Sequence, residues 1–131
     1  MNTRISEASE KKRQGLCNCA QAVISTYRDI AQIDEDTALK LGASFAGGMG
    51  NTQGTCGSLI GAGIILGLVN KGQMNSVKDM RRIMEKFQER NGATQCRVLK
   101  GLENGKVLRS CPDCVADASE FLEEILRDEE K

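Results

Sequence analysis

Phe45-Ala-Gly-Gly-Met-Gly-Asn-Thr-Gln-Gly-Thr-Cys56-Gly-Ser-Leu-Ile-Gly61-Ala-Gly-Ile-Ile-Leu-Gly-Leu-Val69 is the stretch on which the fold turns. Its first half, Gly47 to Gly54, reads as a loop, because clustered glycines permit positive φ and oppose helix formation. Its second half is apolar and lacks strand alternation, so helix is the expectation from Thr55 onward. Gly57 and Gly61, then Gly63 and Gly67, recur four apart and leave smooth strips where a second helix approaches closely. A glycine-rich helix of this kind belongs at the centre of a bundle.

The flanking sequence supplies partners for it. Asn18 is a good N-cap for a helix carrying Ala20, Val23, Ile24, Tyr27 and Ile30. A short helix follows Asp34, with Ala38, Leu41 and Phe45 on one side. A third follows Ser76, with Val77, Met80, Ile83, Met84 and Phe87 on one face. Ser76 and Asp79 resemble a capping box, and Asn91-Gly92 is a stop signal. The last helix begins at Cys111-Pro112, proline taking the first helical position, and carries Val115, Ala118, Leu122, Ile125 and Leu126. Residues 1–14 add a charged helix that frays. The expectation is an all-α single domain over residues 1–131, a compact bundle of about five to six helices.

Composition removes several function classes. Lysine plus arginine equals aspartate plus glutamate at 18 each, so no net charge draws in nucleic acid. Tyr27, Phe45, Phe87 and Phe121 are the only aromatic residues, too few for a base-stacking surface. The apolar run from Leu59 to Val69 is about half the ~20 residues of a membrane span. The first residues lack the apolar segment of a secretory signal, and a cytoplasmic location is expected.

Chemistry must come from sulfur. The chain has 6 cysteines and no histidine, so no imidazole is available as base or ligand. In a reducing compartment such cysteines are metal ligands or redox thiols rather than permanent disulfides. Cys56 lies between the glycine loop and a helix start, where free N–H groups and the helix dipole favour a thiolate. Gly54, Thr55, Gly57 and Ser58 are the residues whose amides would hold a small anion or cofactor there. The lysine and serine/threonine of a nucleotide-binding Walker loop are missing. Cys111 and Cys114 form a C-x-x-C at a helix start, and Cys17 and Cys19 a C-x-C at another. Cys96 is accompanied by Arg97 and Lys100, cations able to stabilise a thiolate.

With Asn18-Cys19-Ala-Gln-Ala-Val upstream, and Cys96 and Cys111-Pro112 downstream, the central segment resembles the C_GCAxxG_C_C family. That family is small, is described as redox-active, and is defined by four cysteines and a CGAxxG motif. The motif here is Cys56-Gly57-Ser58-Leu59-Ile60-Gly61, with serine in place of alanine, which adds a hydroxyl close to the thiol. The resemblance runs from about Leu16 to Leu126. It implies that Cys19, Cys56, Cys96 and Cys111 form the redox site, with Cys17 and Cys114 as extras. It also implies a transporter as a neighbour in function.

Three active readings follow. Four thiolates suit an iron–sulfur cluster, or a structural zinc ion. Alternatively Cys56 is the nucleophile of thiol–disulfide exchange with no cofactor. A non-catalytic binding or accessory role beside a transporter is the third. A redox partner protein and a homodimer are the other partners expected. Against these stands a helical domain whose cysteines simply fill the core.

Overall fold

A computed structural model of the chain describes residues 2–129. It is all-α. Among the described residues, six helices have eight residues or more: α1 (Asn2–Arg13), α2 (Cys19–Thr26), α3 (Glu35–Gly42), α5 (Gly57–Val69), α6 (Asn75–Asn91) and α8 (Cys111–Glu129). Single turns lie between them: a 3₁₀ turn at Ala43–Phe45, α4 (Ala46–Met49) and α7 (Cys96–Leu99). The sole β-type pairing described is an antiparallel bridge between Thr55 and Gln95.

α5 packs against α2, α6 and α8. Leu59, Ala62, Ile65 and Leu66 are buried on it, each large side chain worth roughly 1.5–3 kcal/mol of apolar burial. Its glycines divide by role. A Cβ on Gly61 would stand 2.8 Å from the Ala20 carbonyl oxygen, and one on Gly57 3.1 Å from that of Phe45. These two let α2 lie directly on α5. Gly63 faces the Met80 sulfur of α6, whereas Gly67 has open space around it. The second strip is therefore only half used.

α1 lies along α8 and α2, with Ala8 buried and the Ser9 hydroxyl donating to the Pro112 carbonyl at 3.0 Å. Residue 1, the start of the charged helix expected from sequence, falls outside the described residues. Several local expectations shift. Ile30 is exposed because α2 closes at Tyr27, three residues earlier, and Leu41 and Val77 also face solvent. α6 is capped at Met74 with no side-chain hydrogen bond, so Ser76 and Asp79 form no capping box. Both instead take up the Asn70 side-chain amide, at 3.2 and 3.4 Å. The Asn91-Gly92 stop is as expected, Gly92 adopting φ 81°. No helix among the described residues is long and apolar enough to cross a membrane.

A candidate dithiol site at converging helix starts

Each of four cysteines begins a helix. Asn18 and Gln21 form a reciprocal capping box, the Asn18 carbonyl-type oxygen accepting from the Gln21 amide at 2.8 Å, which makes Cys19 the first residue of α2. The Asn18 side-chain amide also donates to the Gly42 carbonyl and fixes that end against α3. Cys56 is itself the N-cap of α5, and Cys96 opens α7. Ser110 caps α8: its carbonyl accepts from the Cys114 amide at 2.8 Å and its hydroxyl from the Asp113 amide at 3.3 Å. The start of α8 thus falls at Cys111, and Pro112 takes the second helical position rather than the first.

These starts converge. Cys19, Cys56, Cys96, Cys111 and Cys114 line one cavity of about 70 Å³, with Gly47, Gly48, Lys12, Lys100 and Arg109. The Thr55–Gln95 bridge sets two of them side by side. The Cys56 amide donates to the Thr94 carbonyl at 2.8 Å and the Cys96 amide to the Gly54 carbonyl at 2.9 Å. One wall is a left-handed turn, with Gly47 at φ 56°, Gly48 at 60° and Met49 at 66°. Gly48 lies so close to Cys96 that an added Cβ would stand 2.5 Å from the cysteine Cβ.

Within the cavity the sulfurs are paired. Cys56 is electrostatically coupled to the Cys114 thiol and Cys111 to the Cys19 thiol, while the Cys114 sulfur also lies 3.9 Å from the Arg109 carbonyl oxygen. All six cysteines are free thiols. Among the described residues no three or more cysteine or carboxylate groups gather as a bound metal ion requires. The cavity is also far below the several hundred Å³ of a nucleotide-sized pocket.

One thiol of each pair is acidified at the expense of the other. Cys111 is lowered to about 6, chiefly by the hydrogen bond from Cys19, with Lys100 and Lys12 adding to it. Cys56 is lowered to about 7 by the Cys114 thiol, helped against its burial by the Ser58 hydroxyl, 3.0 Å from the sulfur. Cys19 and Cys114 are raised well above the ordinary thiol range, because each donates to its partner and is buried. Burial raises Cys96 as well, and it stays protonated at neutral pH. The direction sets the pH dependence. Alkylation of Cys111 and Cys56 should rise through about pH 6 and 7 and level off below pH 8.5, where ordinary thiols are still ionising. A peptide-resolved iodoacetamide pulse between pH 5 and 10 measures this. Midpoints near 8.5 at both positions would contradict the pairing.

The remaining sequence candidates are distributed as follows. Gly57 lines the cavity and Ser58 supports Cys56 from behind. The Gly54 amide is spent on the Gly48 carbonyl at 3.0 Å, and Thr55 borders a separate apolar groove with Met80 and Met84. Cys17 does not line the cavity. Arg97 turns to Glu103 at 3.4 Å, while Lys100 reaches the cavity. Asp117 and Lys12 were not signalled by sequence. Buried Asp117 accepts from Arg109 at 2.9 and 3.1 Å, from Arg90 at 2.9 Å and from Asn91 at 3.1 Å, which holds Arg109 at the cavity wall.

A family model described as "Putative redox-active protein (C_GCAxxG_C_C)" matches residues 17–125. The chain belongs to the C_GCAxxG_C_C family. No curated protein and no solved structure matches it. The C_GCAxxG_C_C match spans all six cysteines, and its motif residues Cys56, Gly57 and Gly61 are those that bring α5 onto α2 and into the cavity.

Proposed function

We propose that this protein is a dithiol–disulfide redox protein with an outer couple, Cys19/Cys111, and a buried couple, Cys56/Cys114. The observation that carries the reading is that five free thiols line one cavity at converging helix starts, with Cys111 acidified beside Cys19 and Cys56 beside Cys114. Exchange needs one nucleophilic thiolate and one resolving thiol, both within reach of the same substrate sulfur.

Cys111 is half-buried whereas Cys56 is buried, so Cys111 meets the substrate first. Its thiolate attacks one sulfur of a small disulfide, forming a mixed disulfide and expelling one thiolate. Cys19 then loses its proton to that departing thiolate and attacks the Cys111 sulfur, expelling the second. Two electrons leave the protein, and the Cys19–Cys111 disulfide remains. An external dithiol partner returns the electrons. The buried couple undergoes the same chemistry in turn by exchange with the outer disulfide, giving the chain a capacity of four electrons.

Oxidation with excess small disulfide, alkylation and peptide mapping tests this. Cys19–Cys111 and Cys56–Cys114 should be recovered as disulfides, with Cys17 and Cys96 alkylated; recovery of neither would overturn the reading. An iron–sulfur or zinc centre on Cys19, Cys56, Cys96 and Cys111 would require the Cys19/Cys111 pair to close with Cys56 and Cys96 around one centre. Near-stoichiometric iron or zinc in protein purified without oxygen or chelators would replace the dithiol reading by that one.

A further inference from the structure

The chain as a whole is neutral, but its cysteine cavity is not. Among the described residues no aspartate or glutamate lines it, while Lys12, Lys100 and Arg109 do. Arg109 is spent on Asp117. Lys12 and Lys100 make no side-chain hydrogen bond or ion pair with a carboxylate among the described residues. They come from distant elements, the last turn of α1 and the end of α7, and meet at the sulfurs. Two half-buried lysines without a carboxylate partner are an arrangement that attracts an anion. A volume of about 70 Å³ admits a group of a few heavy atoms and leaves the rest of a larger molecule outside.

We propose that the cavity selects anionic sulfur substrates: small disulfides bearing a carboxylate or similar oxyanion, held by Lys12 and Lys100 with the reacting sulfur against Cys111. The proposal rests on the dithiol reading and adds the class of substrate. The chemical step is the exchange already written, and the substrate disulfide is its oxidant. The lysines take no part in bond making; they position the charge.

Iodoacetate and iodoacetamide, alike in size and differing in charge, are the probes. Second-order alkylation rates at Cys111 are compared by peptide mass analysis in wild type and in Lys12→Gln/Lys100→Gln at pH 9. At that pH Cys111 is ionised, so a change in thiol pKa drops out. The iodoacetate-to-iodoacetamide rate ratio should fall about tenfold in the double variant, the lower end of what charge focusing in a cleft supplies. Sulfate should slow iodoacetate alone. An unchanged ratio, or an equal fall for both reagents, would overturn the proposal. Lys12→Arg/Lys100→Arg keeps the charge and should keep the ratio, which separates electrostatics from damage to the fold. If the Cys19–Cys111 disulfide forms and the ratio does not move, anion selection alone fails. If that disulfide never forms, the dithiol reading fails whatever the ratio.

Discussion

Cys111→Ser should cut the rate of exchange with a small disulfide at pH 7 by at least ~10³-fold, the scale expected when a nucleophile is removed outright. The loss has two sources. A serine hydroxyl does not ionise near neutral pH, so the acidified group at the start of α8 disappears. Cys19 also loses the sulfur to which it donates, and no resolving step remains. The acidity of Cys111 contributes less to attack than its thiolate fraction suggests, because nucleophilicity declines as pKa declines. That acidity also serves re-reduction: when the external dithiol attacks the Cys19 sulfur of the Cys19–Cys111 disulfide, Cys111 is the low-pKa thiolate that leaves. Cys17→Ser, outside the cavity, should leave the rate within about twofold. Stopped-flow exchange with a chromogenic disulfide provides both numbers. A Cys111→Ser protein as fast as wild type would move the nucleophile elsewhere.

Gly48→Ala should be the most destabilising single-methyl change at the site, by about 2–5 kcal/mol, from the left-handed penalty of ~1–2 kcal/mol plus ~1–3 kcal/mol of overpacking. The new Cβ would sit 2.5 Å from the Cys96 Cβ and 3.1 Å from the Gly54 carbonyl oxygen. Gly54 is hydrogen-bonded to both Gly48 and Cys96, so the wall cannot move away on one side without disturbing the other. Gly47→Ala is the control. It has similar φ, 56°, but nothing within 4 Å of its Cβ, and only the left-handed penalty of ~1–2 kcal/mol applies. Urea unfolding of the two reduced proteins measures the difference. Equal losses would mean that the close approach to Cys96 carries no weight.

Much of the frame is legible in the sequence because it depends on neighbours along the chain. Asn18 and Asn91-Gly92 act within one helical turn, so the start of α2 and the stop of α6 follow from residue type. By contrast, α6 starts without the Ser76/Asp79 cap, and α8 is capped by Ser110, which places Pro112 second. The Gly57/Gly61 strip is legible too, as spacing on one face. The meeting of the cysteine-bearing ends is not, since it depends on the directions of α2, α5 and α8 in space. For the same reason Cys114, outside the family's four, lines the cavity beside Cys56 and is coupled to it, while Cys96 lines the cavity without such a coupling. Lys12 lies 44 residues before Cys56 on a helix with no sulfur of its own, and only the packing of α1 along α8 brings it in. Asp117 carries no signal in the sequence, because Arg90 and Arg109 meet on it only once α6 and α8 are packed.

α8 presents Cys111 and Cys114 one turn apart, to sulfurs on two different helices. Closing both bonds would join positions roughly 90 and 60 residues apart, each removing about 4 kcal/mol of freedom from the unfolded chain. Folding strength and reducing power then become one quantity seen from two sides of a thermodynamic cycle. Whatever presses α8 onto α2 raises the effective concentration of Cys19 at Cys111 and makes the couple a stronger reductant. Each ~1.4 kcal/mol of that pressure amounts to about 30 mV. Substitutions far from any sulfur, along the seam of α1 and α8, would therefore retune the potential without touching the site.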